Sequence, residues 1–152
     1  MTKYTLYLIT YDRGRYPITN EIKPYHWLFF IQTSSSGSQT LGIAHHLRGM
    51  PGAFHYSGPE TLDLDQSSTS LAEAADLVRC VPPKEKLEIG EVEEEKMDRV
   101  REVFEEVGIV RTEYRGWNCQ NWGMEALERL RGEACVYEWI TGEGVRRWLK
   151  EG

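Results

Sequence analysis

The chain has 152 residues, of which 40% are hydrophobic and 28% charged, and a formal net charge of -6. Such a length predicts one domain with a full core. The acidic balance excludes broad electrostatic binding of nucleic acid, which needs a basic face, and no run of about 18 apolar residues offers a membrane span. Three cysteines, Cys80, Cys119 and Cys135, are too few and odd in number for a disulfide framework. With no cleavage site of small residues near the N-terminus, they point to a reducing, cytoplasmic setting.

Residues 3–11, KYTLYLITY, alternate and are rich in β-forming types, which predicts a strand. Residues 12–24 carry a glycine and two prolines and predict a loop. A second strand, aromatic and buried, is predicted over 25–32, YHWLFFIQ. TSSSGSQ is its turn, and 40–47, TLGIAHHL, is the returning strand. After RGMPG, AFHYSGP predicts a short edge strand, while 60–73 is polar and shows no period. ADLVRCV, 75–81, predicts a further strand stopped by Pro82 and Pro83.

The period then changes. Val92, Val100, Val103, Phe104 and Val107 predict a helix over 91–107 that ends with Gly108 at C′. Its many glutamates read as a solvated face rather than a cation site. A helix is predicted to start near Asn118 as N-cap, with Cys119, Trp122, Ala126 and Leu130 on one apolar face. Residues 134–140 read as a strand or packed extended segment, and 142–152 as a short helix. Strands first and helices after predict an α+β fold over residues 1–152: an antiparallel sheet with the Cys-bearing helix packed on it.

His26 sits in an apolar strand, where an imidazole needs a hydrogen-bond partner. Alternation sends His45 and His46 to opposite faces, with His45 structural or exposed on the far side. If 25–32 and 40–47 pair as a hairpin, His26 and His46 both lie at the end remote from the turn and become cross-strand neighbours. Cys119 opens a helix, where the positive end of the dipole favours thiolate. Packed on the His26/His46 face, that helix would bring together the set that thiol catalysis needs. A base takes the thiol proton, a third group orients the base, and backbone N–H groups at the helix start hold an oxyanion.

Trp27, Trp117 and Trp122 are candidates to wall a substrate groove, Gln120 to contribute its N–H, and Tyr11 to donate to an oxyanion. His55 reads as a surface residue, and Cys80 and Cys135 as core thiols. No ligand spacing supports a zinc site built from Cys119, His26 and His46.

PYHWLFFIQ, AHHLRG and WNCQNWGMEALERLR together resemble the circularly permuted papain-like cysteine superfamily, in which the histidine precedes the cysteine. The lecithin:retinol acyltransferase-like branch carries a His-Trp pair on one strand, a His-Leu pair on the next and an Asn-Cys opening a helix. His26-Trp27, His46-Leu47 and Asn118-Cys119 match these in turn. The resemblance implies a permuted papain-like fold, with His26 as base, His46 as orienting group and Cys119 as nucleophile. The whole chain is also similar to an uncharacterised family of small fungal proteins with no established activity.

The chain departs from the acyltransferase branch in two places. Gln120, Asn121 and Trp122 replace the Glu-His-Phe that follows the cysteine, and the charged residues of 141–152 stand where many members carry a hydrophobic anchor. The second departure counts against a lipid substrate in a bilayer, and a soluble peptide, amide or thioester fits the chain at least as well. The expected function is a cysteine-dependent hydrolase or acyltransferase working through an acyl-enzyme, without cofactor. The alternative is a catalytically inactive binding module on the same scaffold, with a Trp-lined groove for a peptide or small ligand.

Overall fold

The computed structural model describes residues 2–11, 18–20, 26–36, 39–48, 54–63, 85–109 and 119–151. They form a mixed α+β architecture. The strands are β1 (Lys3–Tyr11), β2 (His26–Ser36), β3 (Gln39–Arg48), β4 (His55–Asp63) and β5 (Glu85–Glu93). The helices are α1 (Met97–Glu106), α2 (Cys119–Gly132) and α3 (Gly142–Glu151), and one 3-10 turn, Glu94–Lys96, joins β5 to α1. The sheet is antiparallel with order β4-β3-β2-β1-β5, so the apolar strands lie inside and the polar β4 and β5 form the edges. An edge is where Pro59 of β4 is tolerated, because proline cannot donate to a ladder.

Register divides the sheet into two faces. On one, Thr10 stands opposite Trp27, Leu8 opposite Phe29, and Phe29 opposite His45. This face meets the helices. Leu6, Leu8, Trp27, Phe29 and Leu47 share the main core with Phe104 of α1 and with Trp122, Ala126, Leu127 and Leu130 of α2. On the other face Tyr11 stands opposite His26, Ile9 opposite Leu28, and Tyr7 opposite Phe30. Ile9, Tyr11, Leu28, Phe30 and Ala44 make a second, smaller core there. Burial on both sides explains why 27–31 reads as a continuous apolar run instead of alternating.

Helix α2 is seated by its glycine. A Cβ built at Gly123 would lie 2.7 Å from Cε3 of Trp27, so the helix approaches the indole more closely than a side chain allows. Trp122 stacks on Phe104 with centroids 5.5 Å apart and sets its edge to Phe29. Just past α2, the Glu133 carbonyl accepts from Lys96 Nζ at 2.6 Å, and its carboxylate accepts from Arg99 at 3.1 and 3.2 Å. These contacts tie α1 to the negative end of the α2 dipole. The chain turns through Ala134 at φ 62°, the Cys135 N–H donates to the Leu130 carbonyl at 2.9 Å, and Val136 bridges to Gly90.

Several sequence expectations need correction. Residues 91–93 belong to β5, not to a helix, because β1 takes a partner on that side. Helix α1 ends at Glu106 with Val107 as its extended cap, so Gly108 does stand at C′, but without the left-handed conformation. Strand β4 runs to Asp63 and so takes in the first of the polar residues, and 134–140 contains turns and one bridge rather than a strand. The strand expected at 75–81, with Cys80, lies outside the described residues, as do Trp117 and Asn118. No described helix is long and apolar enough to cross a membrane.

Candidate functional site

His26 is the first residue of β2 and stands opposite Tyr11, the last residue of β1. His46 stands opposite Leu28, which makes it the diagonal neighbour of His26 on the same face. Their rings meet edge-on, 86° apart, with His26 Nε2 2.9 Å from His46 Nδ1. Both are buried, at 3% and 0% exposure. At 2.9 Å the two nitrogens share a proton. An ion between them would need about 2 Å to each, nearly 4 Å in all if it lay in line. Among the described residues no group of three His, Cys, Asp or Glu side chains is arranged to hold a metal.

The second nitrogen of His46 has a carboxylate partner, with Nε2 3.4 Å from Glu60 Oε2. An irregularity in β4 puts it there. Ser57 stands opposite His46 and Glu60 opposite Ala44, with a register shift between them. Residues three apart on a regular strand point to opposite faces. The extra residue, taken up at Gly58 with φ 153° and at Pro59, turns Ser57 and Glu60 to the same face. The Ser57 hydroxyl donates to Glu60 Oε1 and fixes the carboxylate. The result is a chain of four polar side chains, His26, His46, Glu60 and Ser57.

His45 is different. It faces the helices, is 2% exposed, and stacks on Phe104 with centroids 4.6 Å apart. Burial holds its pKa down to about 3, so the ring is neutral, and Nδ1 shares a 2.6 Å hydrogen bond with the Tyr56 hydroxyl. Burial in turn pushes the Tyr56 hydroxyl well above the usual phenol range. This is a satisfied core histidine. His55 is exposed.

Helix α2 packs on the face of Trp27 and His45, not on the face of His26 and His46. This corrects the expected arrangement, and the reason is alternation: His26 and Trp27 are adjacent, and Trp27 receives the helix. Cys119 is the first residue of α2, one turn before Gly123, or about 6 Å along the axis. Since Gly123 sits against Trp27, the helix starts at the end of the sheet where His26 opens β2.

Trp27 and Trp122 are each 1% exposed and belong to the main core, so neither walls an open groove. Tyr11 is fully buried, its ring 6.4 Å from that of His26. Gln120 is half-buried in the first turn of α2. Cys135 is buried in the core as a free thiol, and burial pushes its pKa up.

Sequence reasoning missed Glu60 and Ser57. Both lie where the β4 period breaks, and the only local signal is the Gly58-Pro59 pair between them.

Residues 6–136, which span this whole site, match a family of unknown function, DUF6540. No curated protein and no solved structure matches the chain.

Proposed function

The chain belongs to the DUF6540 family, and we propose that it is a cysteine-dependent hydrolase or acyltransferase of permuted papain-like design. Cys119 is the nucleophile, His26 the base and His46 the group that orients the base. The observation that carries this reading is the buried 2.9 Å hydrogen bond between His26 and His46, at the sheet end where the Cys119 helix begins. Two imidazoles and a carboxylate are a costly way to fill a sheet face, since apolar residues pack there without polar demands.

In the proposed reaction the Cys119 S–H bond breaks and its proton passes to His26. The thiolate attacks the carbonyl carbon of a peptide, amide or thioester. Backbone N–H groups in the first turn of α2, which have no intrahelical acceptor, are suited to hold the oxyanion. Collapse breaks the bond to the leaving amine or thiol, which takes the proton from His26. Water or an amine then gives a proton to His26 and attacks the acyl-thioester, the C–S bond breaks, and the proton returns from His26 to the Cys119 sulfur. Because α2 packs on the opposite face, the thiol would meet His26 around the start of β2 rather than across the sheet. A reducing compartment such as the cytoplasm would keep it a thiol.

Acyl-enzyme trapping tests the proposal. The protein is incubated with a short-chain activated thioester, quenched in acid and mapped by peptide mass spectrometry. An acyl mass on the Cys119 peptide is expected, and it should be lost in His26→Ala. No adduct, or an equal adduct in the variant, would remove the enzyme reading and leave the inactive binding module.

A further inference from the structure

We propose that Glu60 is a positioning residue that sets the tautomers of both histidines and so makes His26 Nδ1 the basic nitrogen. The tautomer assignment stands on the geometry alone; its catalytic meaning rests on the reading of Cys119 given above. A carboxylate accepts hydrogen bonds and donates none. With Glu60 Oε2 3.4 Å from His46 Nε2, that nitrogen carries the proton, because the other tautomer would set a lone pair against a carboxylate. A neutral His46 is then unprotonated at Nδ1. Nδ1 lies 2.9 Å from His26 Nε2, so His26 must supply the proton there. A neutral His26 with Nε2–H holds its lone pair on Nδ1.

The order of protons is therefore fixed from one end: Ser57 O–H to Glu60, His46 Nε2–H to Glu60, and His26 Nε2–H to His46. When His26 Nδ1 accepts a proton from a thiol, the positive charge forms next to a chain that ends in a carboxylate, which stabilises it. Ser57 matters because its hydroxyl holds Oε1 and so orients the carboxylate with Oε2 toward His46.

Glu60→Gln has a sharp consequence. If Ser57 still donates to the amide oxygen, the amide N–H faces His46 Nε2 in place of the carboxylate oxygen. His46 then changes to the Nδ1–H tautomer and donates to His26 Nε2, and His26 becomes Nδ1–H. The lone pair moves away from the position where a thiol proton would be taken.

The test is long-range 1H–15N correlation NMR on the 15N-labelled full chain at pH 8, which separates protonated from unprotonated ring nitrogens. Histidine replacements at 26 and 46 assign the signals, and Cys119 alkylation rates are measured in parallel. The wild type is expected to show Nε2–H with unprotonated Nδ1 at both residues. Glu60→Gln should reverse His46 and His26 together and slow Cys119 alkylation at least fivefold. Ser57→Ala, which keeps the carboxylate, should keep Nε2–H at His46. Nδ1–H at His46 in the wild type, or a Glu60→Gln spectrum that keeps the wild-type pattern, overturns the proposal. If the tautomers behave as stated while Cys119 stays inert in every variant, the Glu60 assignment is upheld and the thiol reading fails alone.

Discussion

Gly123→Ala tests whether α2 sits on Trp27. An added Cβ would lie 2.7 Å from Trp27 Cε3, with Cζ3 and Cδ2 at 3.5 and 3.6 Å. Carbon atoms prefer about 3.5–4.0 Å, so either the helix or the indole must give by roughly 1 Å. Trp27 is 1% exposed and part of the main core, so it has little room to yield. Overpacking of this kind costs about 1–3 kcal/mol. Against it stands the helix preference for Ala over Gly, about 1 kcal/mol. The net expectation is a loss of about 1 kcal/mol, or roughly 2–4 °C in Tm.

Gly132, the last residue of the same helix, supplies the control. A Cβ there meets nothing within 4 Å, so Gly132→Ala should stabilise by about 0.5 kcal/mol from propensity alone. Urea unfolding followed by far-UV circular dichroism, with unchanged m-values, reads both. If Gly123→Ala stabilises like Gly132→Ala, α2 does not rest on Trp27, and the start of the Cys119 helix lies elsewhere.

Three further outcomes follow from named contacts. Ala134 has φ 62°, where an L side chain costs about 1–2 kcal/mol. Allowing about 0.5–1 kcal/mol for the freedom of glycine in the unfolded chain, Ala134→Gly should stabilise by about 0.5–1 kcal/mol, read by thermal melting. His45 titrates near 3 in the folded protein and near 6.5 unfolded, so between those values the unfolded chain binds a proton that the native protein refuses. Its contribution is therefore whole above pH 6.5 and is lost as pH falls toward 3, by about 1.4 kcal/mol per pH unit at most. His45→Gln should remove that part of the acid slope, measured as urea stability at pH 7 against pH 5. Cys135, buried and with a raised pKa, should resist alkylation under native conditions and react once the protein is unfolded, scored by peptide mapping.

The inner strands were legible because alternation and β-branched or aromatic content agree in KYTLYLITY and TLGIAHHL. The proximity of His26 and His46 was legible too, since a hairpin through TSSSGSQ brings those ends together. Strand β5 was hidden by its irregularity. Ile89 and Gly90 are both buried, β1 shifts register between Leu6 and Tyr7, and the valines that follow match a helix as well as a strand. Glu60 was hidden for a related reason, since only a register shift brings it to the side of His46. Which face receives α2 could not be read from YHWLFF, because both faces of that strand are apolar and buried. The choice is made in three dimensions, where Gly123 leaves space for one indole and Trp122 completes an aromatic stack with Phe104 and Tyr56. The same packing takes Trp27 and Trp122 out of any groove.

The most direct measurement is the rate of Cys119 alkylation by iodoacetamide from pH 5 to 10, resolved from Cys80 and Cys135 by peptide mapping, in the wild type and in His26→Ala. A free thiol titrates near pH 8.5. Cys119 is expected to react with an apparent pKa well below that value in the wild type and to revert toward it, or fall silent, in the variant. A Cys119 that stays unreactive until the protein unfolds, or that titrates identically with and without His26, would contradict it.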